Sequence, residues 1–180
     1  GQFDLKYHMS LFDNGNTSLE WQDPFNPLLA SGNMSLAPDN EFHQLSVTGG
    51  YSLPHNSHLT GLVSMGRMTQ NQLFEPYTIN MALTPSSLPR SSLDGEVMLS
   101  TAELKLTSRP TKELRISADL HYNERDNQTP VDTYNYVILD SVNGAAIQNR
   151  PYSFKNNLFD LSANYRFNAI TSLRLGYKFN

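Results

Sequence analysis

Cysteine is absent from all 180 residues. Its absence excludes disulfides, thiolate metal sites, catalytic thiols and the Cys-x-x-Cys-His attachment of a c-type haem. Positive charge is also scarce. Thirteen Lys and Arg stand against seventeen Asp and Glu, for a net charge of −4, and no run of the sequence gathers the basic residues. A nucleic-acid partner needs a basic field that this chain does not carry. No apolar run approaches the roughly 18 residues of a transmembrane helix. No secretory leader stands at Gly1, and a mature or excised segment has the same appearance, so secretion is left open. Apolar residues make up 38% of the chain and the mean hydropathy is −0.46, low for a soluble core of this length. Aromatics reach 11% and the apolar residues are patterned, which argues against disorder.

The pattern is alternation. Residues 45–65 read LSVTGGYSLPHNSHLTGLVSM. Leu45, Val47, Tyr51 and Leu53 fall on every second position before a Pro-His-Asn-Ser turn, and Leu59, Val63 and Met65 follow it. Period two is the signature of a strand with two unlike faces. The same alternation runs through FDLKYHMSL, MLSTAELKL, LRISADLHY, FDLSANYRF and LRLGYKF. Seven strands are expected, near residues 3–12, 42–53, 58–70, 97–108, 114–123, 152–167 and 172–179, within one segment covering residues 1–180.

The connections sort strictly by length. Pro54–Ser57, Arg109–Glu113 and Asn168–Thr171 are short, and Asp13–Glu41, Asn71–Glu96 and Glu124–Pro151 are long. Strict alternation puts all short turns at one end of an up-and-down sheet and all long loops at the other. Outer-membrane barrels have this asymmetry, with short periplasmic turns and long extracellular loops, and soluble sandwiches have no reason for it. A weak repeat agrees: strand exits read GRMTQNQLFEPYTIN and NERDNQTPVDTYNY, and strand entries read LPRSS and NRPYS. Each unit shows two strands, whereas a propeller blade needs four, so the repeat is a hairpin plus its loop.

The apolar faces end in Tyr51, Tyr122, Tyr165 and Tyr177, as interfacial girdles require. The opposite faces carry Arg115, Ser117, Asp119 and His121, or Asp160, Ser162, Asn164 and Arg166. The expected fold class is all-β: an antiparallel up-and-down transmembrane β-barrel segment. Lipid tolerates no open sheet edge, and outer-membrane barrels start at eight strands, so seven strands point to part of a larger barrel.

Several stretches resemble a known family. GGYSLPHNSHL with GRMTQN, then LPRSSLDGEV, LTSRP, YNERDNQTP and NRPYSF, in that order, resemble the MtrB/PioB family of decahaem-associated outer-membrane β-barrels. The resemblance runs from about Glu41 to the C-terminus, and strand 1 with the loop Asp13–Asn40 is less distinctive. It implies a large barrel in the Gram-negative outer membrane that sheathes a periplasmic multihaem c-type cytochrome. An outer-surface multihaem cytochrome would receive the electrons, exchanged with extracellular metal oxides or similar acceptors. The haem would belong to the partner, and this chain would hold no cofactor.

No catalytic, cofactor-binding or metal-binding residue is assigned. His55 and His58 lie across a turn, and ordinary turn exposure explains them. His8 and His121 share the polar parity of their strands and read as lumen residues. Glu124-Arg125-Asp126-Asn127 lacks the frame of a calcium loop, and turn chemistry accounts for Asp13-Asn14-Gly15-Asn16. No two carboxylates stand out by spacing, and no nucleophile elbow, phosphate loop or dinucleotide fingerprint is present. Small lumen-face residues (Ser46, Thr48, Gly50, Ser64, Gly66) would let a protein partner approach closely, although Gly49, Gly50, Gly61 and Gly66 could equally relieve strand curvature. Three functions compete: a sheath around an electron-transfer cytochrome, a porin-like transport channel, and a soluble β-sandwich binding module. None of them makes the chain an enzyme.

Overall fold

The computed structural model describes residues 1–25, 31–80, 84, 86–135 and 146–180. Among these there is no helix, and eleven strands follow one another: β1 (Gln2–Phe12), β2 (Ser18–Gln22), β3 (Ser31–Ser35), β4 (Asn40–Leu53), β5 (Ser57–Gln70), β6 (Gly95–Ser108), β7 (Leu114–Asn127), β8 (Thr133–Tyr134), β9 (Ile147–Gln148), β10 (Phe154–Arg166) and β11 (Ser172–Phe179). Seven of them form one antiparallel sheet in the order β1-β4-β5-β6-β7-β10-β11. Each strand of the sheet therefore lies beside its predecessor within it, as an up-and-down meander requires. β2–β3 and β8–β9 are small separate hairpins inside the first and third long loops.

The register aligns the alternating residues. Leu5 stands opposite Val47, Val47 opposite Val63, and Val63 opposite Ala102. Further along, Leu104 faces Leu120, Leu120 faces Phe159, and Phe159 faces Phe179. One face is thus continuously apolar, and nothing covers it. Phe3 is 74% exposed and Leu175 62%. Among the described residues only Ser64, Gly66 and Val97 are buried. The sandwich reading fails here, because a sandwich needs a second sheet packed about 10 Å away on that face. The apolar face instead has the height of a bilayer band. From Leu114 to Tyr122 it rises about 20 Å, taking about 3.4 Å per residue and a tilt of about 40°.

The sheet is open, with β1 and β11 as its two edges. In hydrocarbon those edge N–H and C=O groups require further strands as partners. The architecture is that of a barrel wall segment.

The three turns have distinct local causes. In the β4–β5 turn, His55 and Asn56 take positive φ values of 59° and 49°, a region that these two residue types tolerate better than most. Thr111 Oγ1 accepts the amides of Glu113 and Leu114 at 3.3 and 3.1 Å in the β6–β7 turn. Asn168 Oδ1 accepts those of Ile170 and Thr171 at 2.9 and 2.8 Å in the β10–β11 turn. Short polar side chains thereby replace the missing ladder partners.

Two expectations need correction. β7 continues to Asn127, four residues beyond the end expected from the pattern, because Asn123–Asn127 still pair with Val97–Thr101 of β6. The apolar alternation stops at Tyr122 because the side chains leave hydrocarbon there, while the backbone ladder needs no hydrocarbon to continue. The long loops also contain the hairpins β2–β3 and β8–β9, which lack the extended alternation that marks a spanning strand. Parts of all three long loops, including Tyr136 at the end of the second exit motif, lie outside the described residues.

Candidate functional site

The functional candidates are the polar face of the sheet and the loop-side cluster above it. On the polar face, the register stacks small hydroxyl residues into rows. Ser46 faces Ser64 and Ser64 faces Thr101. Gln44 Nε2 donates to Ser64 Oγ at 2.7 Å, and Ser46 Oγ donates to the same oxygen at 3.2 Å. Ser117 and Ser162 share a hydrogen bond of 2.8 Å. Lys105 and Asp119 pair at 3.5 Å, and His121 Nδ1 lies 3.6 Å from Glu103 Oε1. The surface is flat, polar and largely self-satisfied across strands.

Near the loop side the two faces exchange character. On the outward parity, Glu41, His43, Arg67, Glu96, Glu124 and Asp126 replace the apolar residues. Arg67 Nε meets Glu96 Oε1 at 2.7 Å, and Tyr7 hydroxyl and His43 Nδ1 are 2.6 Å apart. Tyr122 hydroxyl donates to Glu124, and Lys155 Nζ sits 5.1 Å from the Tyr122 ring centre. On the inward parity, Phe42 faces Met68 and Met68 faces Val97. Gly66 serves this cluster, since a Cβ there would stand 3.0 Å from the Phe42 ring. Its absent side chain is thus explained by a ring of the same sheet. At Gly49 a Cβ would meet nothing nearer than 3.6 Å.

Above the inverted ends the long loops interlock. Asp39 receives Asn14 N on Oδ1 at 2.7 Å and donates its own amide to Gln72 Oε1 at 2.9 Å. Arg90 and Asp132 form an ion pair at 2.6 Å, Asn135 N donates to Tyr77 hydroxyl at 3.0 Å, and Phe74 meets Tyr134 edge-on at 5.7 Å. These contacts border a cavity of about 600 Å³ lined by Leu36, Gln70, Phe74, Tyr77, Ile79 and Tyr134 among others. Burial, and secondarily the charge of Asp132, raise the Tyr134 phenol above its ordinary range.

The histidines singled out by sequence do not converge. His55 sits in the turn, whereas His58 lies within β5 with Nδ1 3.5 Å from Ser52 Oγ. His8 packs against Phe42 at 6.0 Å. Glu124–Asn127 is strand, so Glu124 and Asp126 lie on one face and Arg125 and Asn127 on the other, which is no cage for calcium. Asn14 is used in turn bonding to Ala37 O at 3.1 Å and to the Asn16 amide at 3.4 Å. Among the described residues no three His, Asp or Glu side chains gather as metal ligands. Sequence reasoning missed Tyr7–His43, Arg67–Glu96 and Arg90–Asp132. The signal for the first two is His43, Arg67 and Glu96 on the apolar parity, but it falls near strand ends, where loop is the ordinary expectation. The third joins two loops, and no pattern announces it.

The family model for the outer membrane beta-barrel porin MtrB/PioB matches residues 1–180. The chain belongs to the MtrB/PioB family. It is also 34% identical, over 97% of its own length, to a curated relative, "Outer membrane protein MtrB" of Shewanella baltica (strain OS185). The chain spans about a quarter (25%) of that relative. Family and relative both place this MtrB/PioB segment in the bacterial outer membrane, so the face of Leu5, Val47 and Leu120 is the one that meets lipid.

Proposed function

We propose that this segment is part of a barrel wall that sheathes a periplasmic multihaem cytochrome and holds it across the outer membrane. The turns would lie in the periplasm and the long loops outside, where an outer-surface multihaem cytochrome would dock. The observation that carries the reading is the polar face. Its central rows consist of small residues that hydrogen-bond to one another (Gln44, Ser46, Ser64, Ser117, Ser162). Such a wall lets a folded protein come close and offers it no apolar seal that would make insertion irreversible. The chain has no cysteine to attach haem, so its part would be geometric: insulation outside, fit inside, with the haem carried by the partner and no catalysis of its own.

The family description as a porin supports a second reading, a water-filled transport channel. Proteoliposomes made with the full-length barrel separate the two. With an external reductant and an internal redox dye, the sheath reading expects electron flux only when the cytochrome is present. It also expects Ser64→Arg and Ser117→Arg to weaken cytochrome retention while the barrel still inserts. Unchanged retention and flux, with porin-like ion conductance from the barrel alone, would leave the channel reading standing.

A further inference from the structure

The turn-side corner of the polar face gathers charge of one sign. Arg109 and Lys112 lie in the β6–β7 turn, Arg115 begins β7, Arg166 ends β10 and Arg174 lies at the start of β11. The register brings them together: Arg115 stands opposite Asn164, and Asn164 opposite Arg174. The Arg166 amide donates to Glu113 O at 2.9 Å, which ties the two turns side by side. A cavity of about 440 Å³ opens between them, lined by Arg109, Lys112, Arg115 and Arg166, with Glu113 as its one carboxylate. None of these five cations has an ion pair among the described residues. The next row in is the neutral Thr107, Ser117, Ser162 and Gly176, and in the one after it Lys105 and Lys178 are balanced by Asp119 and Asp160. The excess is therefore confined to the rim, and five of the chain's thirteen Lys and Arg lie there although the net charge is −4.

We propose that this rim is a docking surface for an acidic patch on the protein that the barrel encloses. The inference rests on the sheath reading and names the chemistry of the partner's contact. Parity favours a protein over a lipid headgroup. Arg115, Arg166 and Arg174 alternate with Leu114, Tyr165 and Leu173 of the lipid-facing side, so the guanidinium groups leave the sheet on its inner side. Guanidinium groups match carboxylates in paired hydrogen bonds and remain charged at all working pH values. Each exposed pair adds little affinity, but a cluster of one sign steers an oppositely charged partner and sets its orientation on entry. The rim would thus act as an entrance collar, selecting and aligning a carboxylate-rich surface before it slides along the neutral rows above.

The test uses the full-length barrel in detergent with its cytochrome. The triple reversal Arg115→Glu, Arg166→Glu and Arg174→Glu is compared with the triple Arg→Lys variant and with Arg67→Glu at the opposite end. The readouts are the association rate at low salt, the NaCl concentration that releases half the cytochrome, and co-purified phospholipid phosphorus. The reversal should slow association by about tenfold or more at low salt and lower the half-release concentration. The lysine triple should stay near wild type, and Arg67→Glu should change neither value. If the reversal fails to close as a barrel by heat-modifiable migration, the Arg→Gln triple takes its place with the same readouts. A wild-type barrel that holds its cytochrome while the charge variants do so with unchanged rate and salt response overturns the collar alone. Loss of phospholipid without loss of cytochrome overturns it in favour of headgroup binding. A wild-type barrel that holds no cytochrome removes both the collar and the sheath.

Discussion

Below the level of Tyr7 and Tyr122, the outward positions of the sheet are mostly aliphatic and aromatic, and the inward ones are mostly small polar residues and charges, paired except at the turn-side rim. Above that level, the same strands carry Glu41, His43, Arg67 and Glu96 outward, and Phe42, Met68 and Val97 inward. The backbone ladder does not change across this boundary, whereas the surroundings on both sides of it do. Hydrocarbon lies outside the lower region and water outside the upper one. Interlocked loops lie over the upper end. A strand that crosses two solvents must therefore reverse its side-chain pattern part-way along, and the level of reversal marks the membrane surface in the structure.

The largest expected effect is on the lower region. Val47→Arg or Leu120→Arg puts a charge near the centre of the apolar band and should destabilise the full-length barrel by about 2–4 kcal/mol, measured by refolding titration in lipid. Met98→Arg keeps the same face of the same sheet but lies beside Arg67 and Asp126, above the boundary. It should cost at most about 1 kcal/mol. Equal losses at both levels would break the comparison.

Next comes the packing of the upper inner face. Gly66→Leu must displace the Phe42 ring and should cost about 1–3 kcal/mol in the same titration. At Gly49 an alanine Cβ makes only an ordinary contact, 3.6 Å from Gln2 O, and Gly49→Ala should change stability by no more than about 0.5 kcal/mol. A silent Gly66→Leu would show that the inner cluster is loosely packed.

Orientation sharpens the comparison without a change in stability. Single cysteines at Asn71 and Gln128 should react with an impermeant reagent on intact cells, and a cysteine at Asn56 should not. The reverse pattern would turn the barrel over.

The smallest effect expected is at Tyr134, whose hydroxyl is buried without a hydrogen-bond partner. Tyr134→Phe should leave the thermal midpoint nearly unchanged, because no bond is lost. The raised phenol pKa means that folding favours the protonated form. Its contribution is complete below about pH 10, the unfolded value, and is lost as pH rises through the higher native one. Wild type should therefore lose loop order at alkaline pH more steeply than Tyr134→Phe, as followed by near-UV circular dichroism. Identical alkaline curves would mean that this phenol takes no part.

The seven-stranded meander was legible because period-two alternation and loop-length asymmetry are local properties. Each strand shows its own faces, and Pro54–Ser57 or Asn168–Thr171 shows its own turn. The inversion was not legible, because Phe42 and Glu41 break a pattern at a strand end, where a reader expects loop. The hairpins β2–β3 and β8–β9 are too short for periodicity to register.

The sequence by itself determined an antiparallel sheet with one apolar and one polar face, since side-chain direction in a strand follows position alone. It also determined that the chain brings no thiol chemistry of its own. Only the tertiary structure decided which strand stands beside which, and at what register. That pairing joins Arg67 to Glu96 and Arg90 to Asp132, and it gathers Arg109, Lys112, Arg115, Arg166 and Arg174 into one corner from a sequence with no basic run. The physical reason is that charge acts through space. Residues 59 positions apart, such as Arg115 and Arg174, become neighbours only when two hydrogen-bonded ladders bring their strands side by side.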